Sequence, residues 1–115
     1  MAGTVIQLNL LKYSEKGAAA VVKEGLASRR AAVEKILEDF GGRLLGFWGS
    51  DDGEWDAVFI TEVPAEFDLS SGVALNLRGK ASGTWERFHS IFLYQPEDVD
   101  RNLQVADAFR YAGQQ

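Results

Sequence analysis

The 115-residue chain has no cysteine, which excludes a disulfide framework and a thiolate metal site. It has one histidine, so a histidine-rich metal centre is excluded by count; an all-oxygen site stays open, and no metal or cofactor is expected. It has no surplus of basic charge: at a formal −5 it carries no electrostatic footprint for nucleic acid or for an anionic membrane surface. Lys23, Arg29, Arg30 and Lys35, its densest basic group, are interspersed with Glu24, Glu34 and Glu38, as on a solvated helix face. No apolar run is long enough to cross a bilayer. The N-terminus enters strand-like sequence without the marks of a secretory leader, so the expected compartment is the cytoplasm. There is no G-x-S-x-G nucleophile turn, no phosphate-binding glycine loop, and no repeat, low-complexity tract or linker. Catalysis by those routes is excluded.

What is present is an ordinary globular composition, 46% apolar and 25% charged, in the size range of one domain spanning 1–115. Residues 4–12 read as a strand, rich in apolar and β-preferring side chains. Ser14 is placed to cap a helix, with Glu15 in the first turn, where the helix dipole favours a negative charge. Ala19, Val22, Leu26, Val33, Ile36, Leu37 and Phe40 then recur at helical spacing. Gly25 and Ser28 leave open one helix or two, and Gly41-Gly42 ends it. Residues 43–49 and 54–63 read as strands joined through Asp52-Gly53, a hairpin signal, and Pro64 closes the second of them. Residues 66–80 form a weaker helix interrupted by Ser70-Ser71-Gly72, and 84–94 an aromatic-rich strand. Pro96, followed by Glu97 and Asp98, starts a last helix with a stripe of Val99, Leu103 and Ala106 and Phe109 beside it.

The order β-α-β-β-α-β-α describes an α+β, ferredoxin-like βαββαβ plait: a four-stranded antiparallel sheet with helices on one face and an extra C-terminal helix. Such a sheet should alternate apolar and polar residues, yet these strands are apolar on both faces. Val58 and Ile60 oppose Trp55, Ala57, Phe59 and Val63; Phe88, Phe92 and Tyr94 oppose Trp85, Ile91 and Leu93; Leu45 and Phe47 oppose Leu44 and Trp48. An open apolar face of that kind drives association. A symmetric pair of chains, sheet against sheet, would cover it; the alternative is the C-terminal helix folding back over it.

Three segments resemble the GYD-domain family of the dimeric α/β-barrel superfamily. Tyr13-Ser14-Glu15-Lys16-Gly17 is similar to its turn after the first strand, and Gly41-Gly42-Arg43-Leu44 with Phe47-Trp48 to its second strand. Gly53-Glu54-Trp55-Asp56 falls at the naming motif, with Trp55 in place of tyrosine and Glu54 interposed. Val58-Phe59-Ile60, Glu62-Val63-Pro64 and Ile91-Phe92 also fit, and the arginine expected early in the long helix is Arg29 or Arg30. Ala65 departs from the acidic residue expected there, as do the interrupted second helix and the long last one. The resemblance implies a homodimeric barrel and no activity, since that family has no settled biochemical function. Other members of the superfamily are cofactor-independent monooxygenases, haem-handling enzymes, lactone isomerases and ligand-sensing domains.

His89 is the first candidate for proton transfer. Gln7 and Asn9 share one face of the first strand, Arg87 and His89 one face of the fourth. If these faces coincide, four polar groups meet among Trp48, Trp55, Phe59 and Trp85, as in a pocket for a small apolar or aromatic ligand. His89 would then accept a proton while Asn9 or Arg87 steadied an enolate-like oxygen. The structural alternative places His89 and Arg87 at an exposed edge and the tryptophans in a core or interface. Asp56 is either a general base or a turn residue accepting backbone N–H groups, and Asp51-Asp52 read as turn residues. The expectation is a small-molecule-binding dimer; an oxygenase or isomerase is the second reading.

Overall fold

The computed structural model describes residues 3–67 and 69–113, with side chains described for all of these except 69–71 and 107–113. Four strands, β1 (Thr4–Tyr13), β2 (Arg43–Gly49), β3 (Ala57–Pro64) and β4 (Trp85–Leu93), form one antiparallel sheet in the order β2-β3-β1-β4. Four helices accompany it: α1 (Glu15–Glu24), α2 (Leu26–Asp39), α3 (Leu69–Ala81) and α4 (Pro96–Gly113). The result is α+β and compatible with a ferredoxin-like plait. The question left open between one helix and two resolves as two. Gly25 sits at φ +90°, a left-handed region that ends α1 and starts α2 without the steric cost a side chain would bring.

Ser14 caps α1 as expected, its hydroxyl accepting from the Gly17 amide at 3.0 Å. Gly17 is buried where α1 presses on the turn before β4, and an added Cβ there would collide with the carbonyl oxygen of Thr84. The Ser14 amide also donates to that oxygen at 3.3 Å. A glycine at this position therefore lets α1 close on the sheet. Leu26 and Val33 of α2 and Val21 of α1 pack on the buried cluster of Leu11, Tyr13, Ala57 and Phe59, so α1 and α2 cover one sheet face. On that face α3 rests on β4 through Trp85, whose indole N–H donates to Asn76 Oδ1 at 3.2 Å and whose ring fills the space left by the absent side chain of Gly79. Ser70-Ser71-Gly72 does not interrupt α3, because the helix is docked rather than held by propensity.

Pairing of Leu8 with Ile60 and Ile91, and of Asn9 with Phe59 and Ser90, assigns every strand residue to a face. Two irregularities correct the simple alternation. A bulge between Leu44 and Gly46 puts Leu44 and Phe47 together on the helix side, and one opposite Lys12/Tyr13 brings Trp85 to the same side as Phe88. Residues 54–56, expected at the start of β3, lie instead in the preceding loop. Asp52 Oδ1 accepts from the amides of Glu54 (2.9 Å) and Trp55 (2.8 Å), diverting donors that the ladder would otherwise use.

The outer sheet face carries Ile6, Leu8 and Leu10 of β1, Val58 and Ile60 of β3, Ile91 and Leu93 of β4 and Trp48 of β2. Among the described residues no helix covers it, and Trp48 is 53% exposed, Ile91 39% and Leu93 42%. The expected alternative, α4 folding back over this face, is not what the chain does. Val99, Leu103 and Val105 of α4 are themselves about half exposed, and the molecule extends 61 Å along its longest axis against 32 and 25 Å on the others. The Phe109 side chain, expected beside the α4 stripe, lies outside the described residues.

Candidate functional site

A partly enclosed cavity of about 130 Å³ lies between the helix-side sheet face and α2 and α3. Its walls are apolar. Val33, Ile36, Leu37 and Phe40 of α2 form one side; Leu75 of α3 and Phe67 close another; Leu11, Phe59, Val63, Trp85 and Phe88 rise from the sheet. Phe59 is the central wall, stacked on Phe47 with centroids 5.4 Å apart and tilted against Phe88 at 6.0 Å.

The floor is polar. Four uncharged side chains cross three strands in one connected row, where the centre of a helix-covered sheet face is ordinarily apolar. Thr61 Oγ1 donates to Gln7 Oε1 at 3.1 Å, Asn9 Nδ2 donates to Thr61 Oγ1 at 3.1 Å, and Ser90 Oγ donates to Asn9 Oδ1 at 2.6 Å. Asn9 Nδ2 also lies 3.2 Å from the Phe59 carbonyl oxygen. Gln7, Asn9 and Thr61 are 6%, 2% and 2% exposed, so the mutual bonding offsets a desolvation cost that each would otherwise bear alone. Among the described residues, no lining side chain is charged or titratable. A second, more open recess between β4 and α3 shares Gln7, Gly72, Phe88 and Ser90 with the cavity and is lined as well by Asn76 and His89.

The sequence-based candidates separate onto two faces. Asn9, Phe59 and Trp85 line the cavity, as does Gln7. Arg87 and His89 do not join them: His89 pairs with Leu10 and Arg87 with Lys12, which places both on the outer face, opposite Gln7 and Asn9. The expected meeting of Gln7, Asn9, Arg87 and His89 does not occur, because β4 registers with β1 one residue out of the phase it requires. Trp55 lies with Arg87 and His89, not with Phe59. Its ring stacks on His89 with centroids 6.4 Å apart, and the Arg87 guanidinium stands 4.5 Å above it while pairing with Glu54. Trp48 lies on the outer face over Gly46, whose missing side chain makes room for the indole. Asp56 bonds to the backbone of the neighbouring strand, Oδ2 accepting from the Tyr13 amide at 2.9 Å. Thr61 and Ser90 escaped notice in the sequence; the available signal was a small polar residue inside each of two otherwise apolar strands.

Arg29 and Arg30 also differ. Arg30 is exposed and reaches Glu34 at 4.0 Å, whereas Arg29 pairs with Glu24, and its buried Nε has no hydrogen-bond partner among the described residues. Burial pushes the Tyr13 phenol above the usual tyrosine range; the Arg29 charge opposes this, and Asp56 reinforces it. The folded state therefore favours neutral Tyr13. Its contribution to stability is fully present below the unfolded pKa of about 10 and is lost as pH rises through the higher folded value. Melting temperature measured from pH 8 to 11 should fall at the alkaline end, and Tyr13→Phe should flatten that fall; an identical slope in the variant would assign the loss to other groups.

Among the described residues there is no cluster of His, Asp or Glu suited to hold a metal ion, and no helix is long and apolar enough to cross a membrane. Comparison with protein-family models, curated proteins and solved structures finds no match. The resemblance to GYD-domain proteins stands on the sequence motifs alone.

Proposed function

We propose that this chain is a GYD-like, small-molecule-binding protein that works as a homodimeric barrel, with one ligand site in each protomer between the sheet and its helices. The observation that carries the reading is the polar row Gln7-Asn9-Thr61-Ser90 beneath an apolar cavity. A few convergent polar groups in an otherwise apolar hollow are the usual form of a small-ligand site. A core selected for stability alone would fill that space with methyl groups and avoid burying three polar side chains. The volume is close to the roughly 150 Å³ hollow that accepts benzene in a well-packed core, so the ligand is small.

The pairing of protomers is supported by the uncovered outer face, where Trp48, Ile91 and Leu93 are held on a sheet whose own helices lie on the other side. Packing two such faces removes both from water. Binding is favoured over catalysis because the described cavity lining contains no titratable group, and His89, the one histidine, borders only the neighbouring recess from a strand position that faces the outer side. An oxygenase or isomerase acting through His89 would need its substrate in the recess at β4 or on the outer face, beside Trp55 and Arg87, and not in the cavity.

Native mass spectrometry of protein purified under mild conditions should show a dimer that retains up to two small adventitious molecules, lost on gentle activation. Uniformly empty protein that also fails to take up phenol at millimolar concentration would contradict the binding reading.

A further inference from the structure

One donor on the cavity floor is left without a partner among the described residues. Thr61 and Ser90 spend their hydroxyl protons on Gln7 Oε1 and Asn9 Oδ1, and Asn9 shares its amide protons among Thr61 and the backbone carbonyls of Gln7 and Phe59. Gln7 accepts from Thr61, but among the described residues its Nε2 donates to nothing, although the residue is only 6% exposed. Gln7 lines both the cavity and the neighbouring recess. Nε2 itself is not fully buried and keeps some accessible surface; on a residue that is otherwise buried and lines a hollow, such an amide has the form of a docking point for an oxygen acceptor.

Given that the cavity is the binding site proposed above, we infer that its ligand is a neutral, compact, mainly apolar molecule carrying one hydroxyl or carbonyl oxygen, which Gln7 Nε2 recognises. The oxygen sits at the polar floor and the hydrocarbon part lies against Phe59, Phe88 and Leu37. The described lining also disfavours charge. Among the described residues no cation faces the hollow to compensate a carboxylate and no carboxylate faces it to compensate an amine, so a charged ligand would give up its hydration without a counter-charge. The Ser90 hydroxyl, which accepts no hydrogen bond among the described residues, is placed to take the proton of a bound alcohol or phenol.

Two shape-matched pairs of probes test this at pH 7 with the full chain, by calorimetry: toluene against phenol, and benzoate against benzamide. Phenol should bind about five- to tenfold more tightly than toluene, the value of one good neutral hydrogen bond. Benzamide should bind at least about tenfold more tightly than benzoate. Gln7→Met, which keeps length and bulk without the donor, should bring phenol and toluene within about twofold, a ratio readable even if both weaken. Because the wild-type ratios need no variant, a failure of Gln7→Met to fold leaves the test intact. Toluene equalling phenol, or benzoate equalling benzamide, would overturn the ligand class while leaving the cavity a binding site. Failure of all four probes to bind would remove the binding reading itself.

Discussion

Replacing Phe59 with alanine should lower stability by about 3–5 kcal/mol, the cost of deleting a core aromatic, and at the same time admit a larger ligand. Phe59 is 6% exposed, stacks between Phe47 and Phe88, and separates the cavity from the rest of the sheet face. Its removal cannot be healed by collapse, because the space it vacates joins an existing hollow held open by the floor and by α2. The loss is a large part of the stability of a domain this size, which is of the order of 5–15 kcal/mol. Urea denaturation at one fixed protein concentration measures it, since the stability of a self-associating chain, as proposed here, depends on concentration. A two-ring ligand such as naphthol, excluded by the wild type on volume, should bind the variant. A cost below about 1 kcal/mol would mean that Phe59 is not central to packing, contrary to its burial.

The second large effect concerns the outer face. Ile91→Asp should convert a micromolar dimer to a monomer, weakening association by about 100-fold or more, because each copy places its carboxylate in the seam and a symmetric interface counts the substitution twice. Ile91 lies beside Leu8 on the uncovered face, so packing two sheets there would take the new charge from water. Val22→Asp is the control: Val22 is 87% exposed on α1, on the helix side, and its substitution should leave association unchanged. Sedimentation velocity distinguishes these results. A wild-type chain that sediments as a monomer at micromolar concentration would remove the paired barrel, and the outer face would then need a different partner.

Much of this architecture was legible in the residues. The Ser14 cap, the end of α2 at Gly41-Gly42 and the start of α4 at Pro96 each follow from a local signal with a mechanism: a capping hydroxyl, a residue free to turn left-handed, a ring without an N–H. The water-averse character of both sheet faces was legible too, from the failure of apolar and polar residues to alternate in β3 and β4. The site was legible only in halves. Gln7 and Asn9 stand out as polar positions inside an apolar strand, but their partners depend on register, which is fixed by pairing between residues far apart in the chain. A shift of one residue decides whether Asn9 meets Ser90 or His89. The bulges opposite Tyr13 and after Leu44 then reassign Trp85 and Leu44, and bulges leave no mark that strand propensity can detect. Trp55 was misplaced for a related reason: Asp52 holds the loop open by bonding two amides, and β3 begins three residues later than its apolar pattern suggests.

The central claim is that the hollow between the sheet and its helices holds a small molecule, and methyl NMR during a phenol titration tests it most directly. Saturable shifts should appear at Leu11, Val33, Leu37 and Leu75, which wall the cavity, while Leu8, Leu10 and Ile60 on the far side of the same sheet stay in place. Shifts confined to the outer-face methyls, or none at saturating phenol, would contradict it.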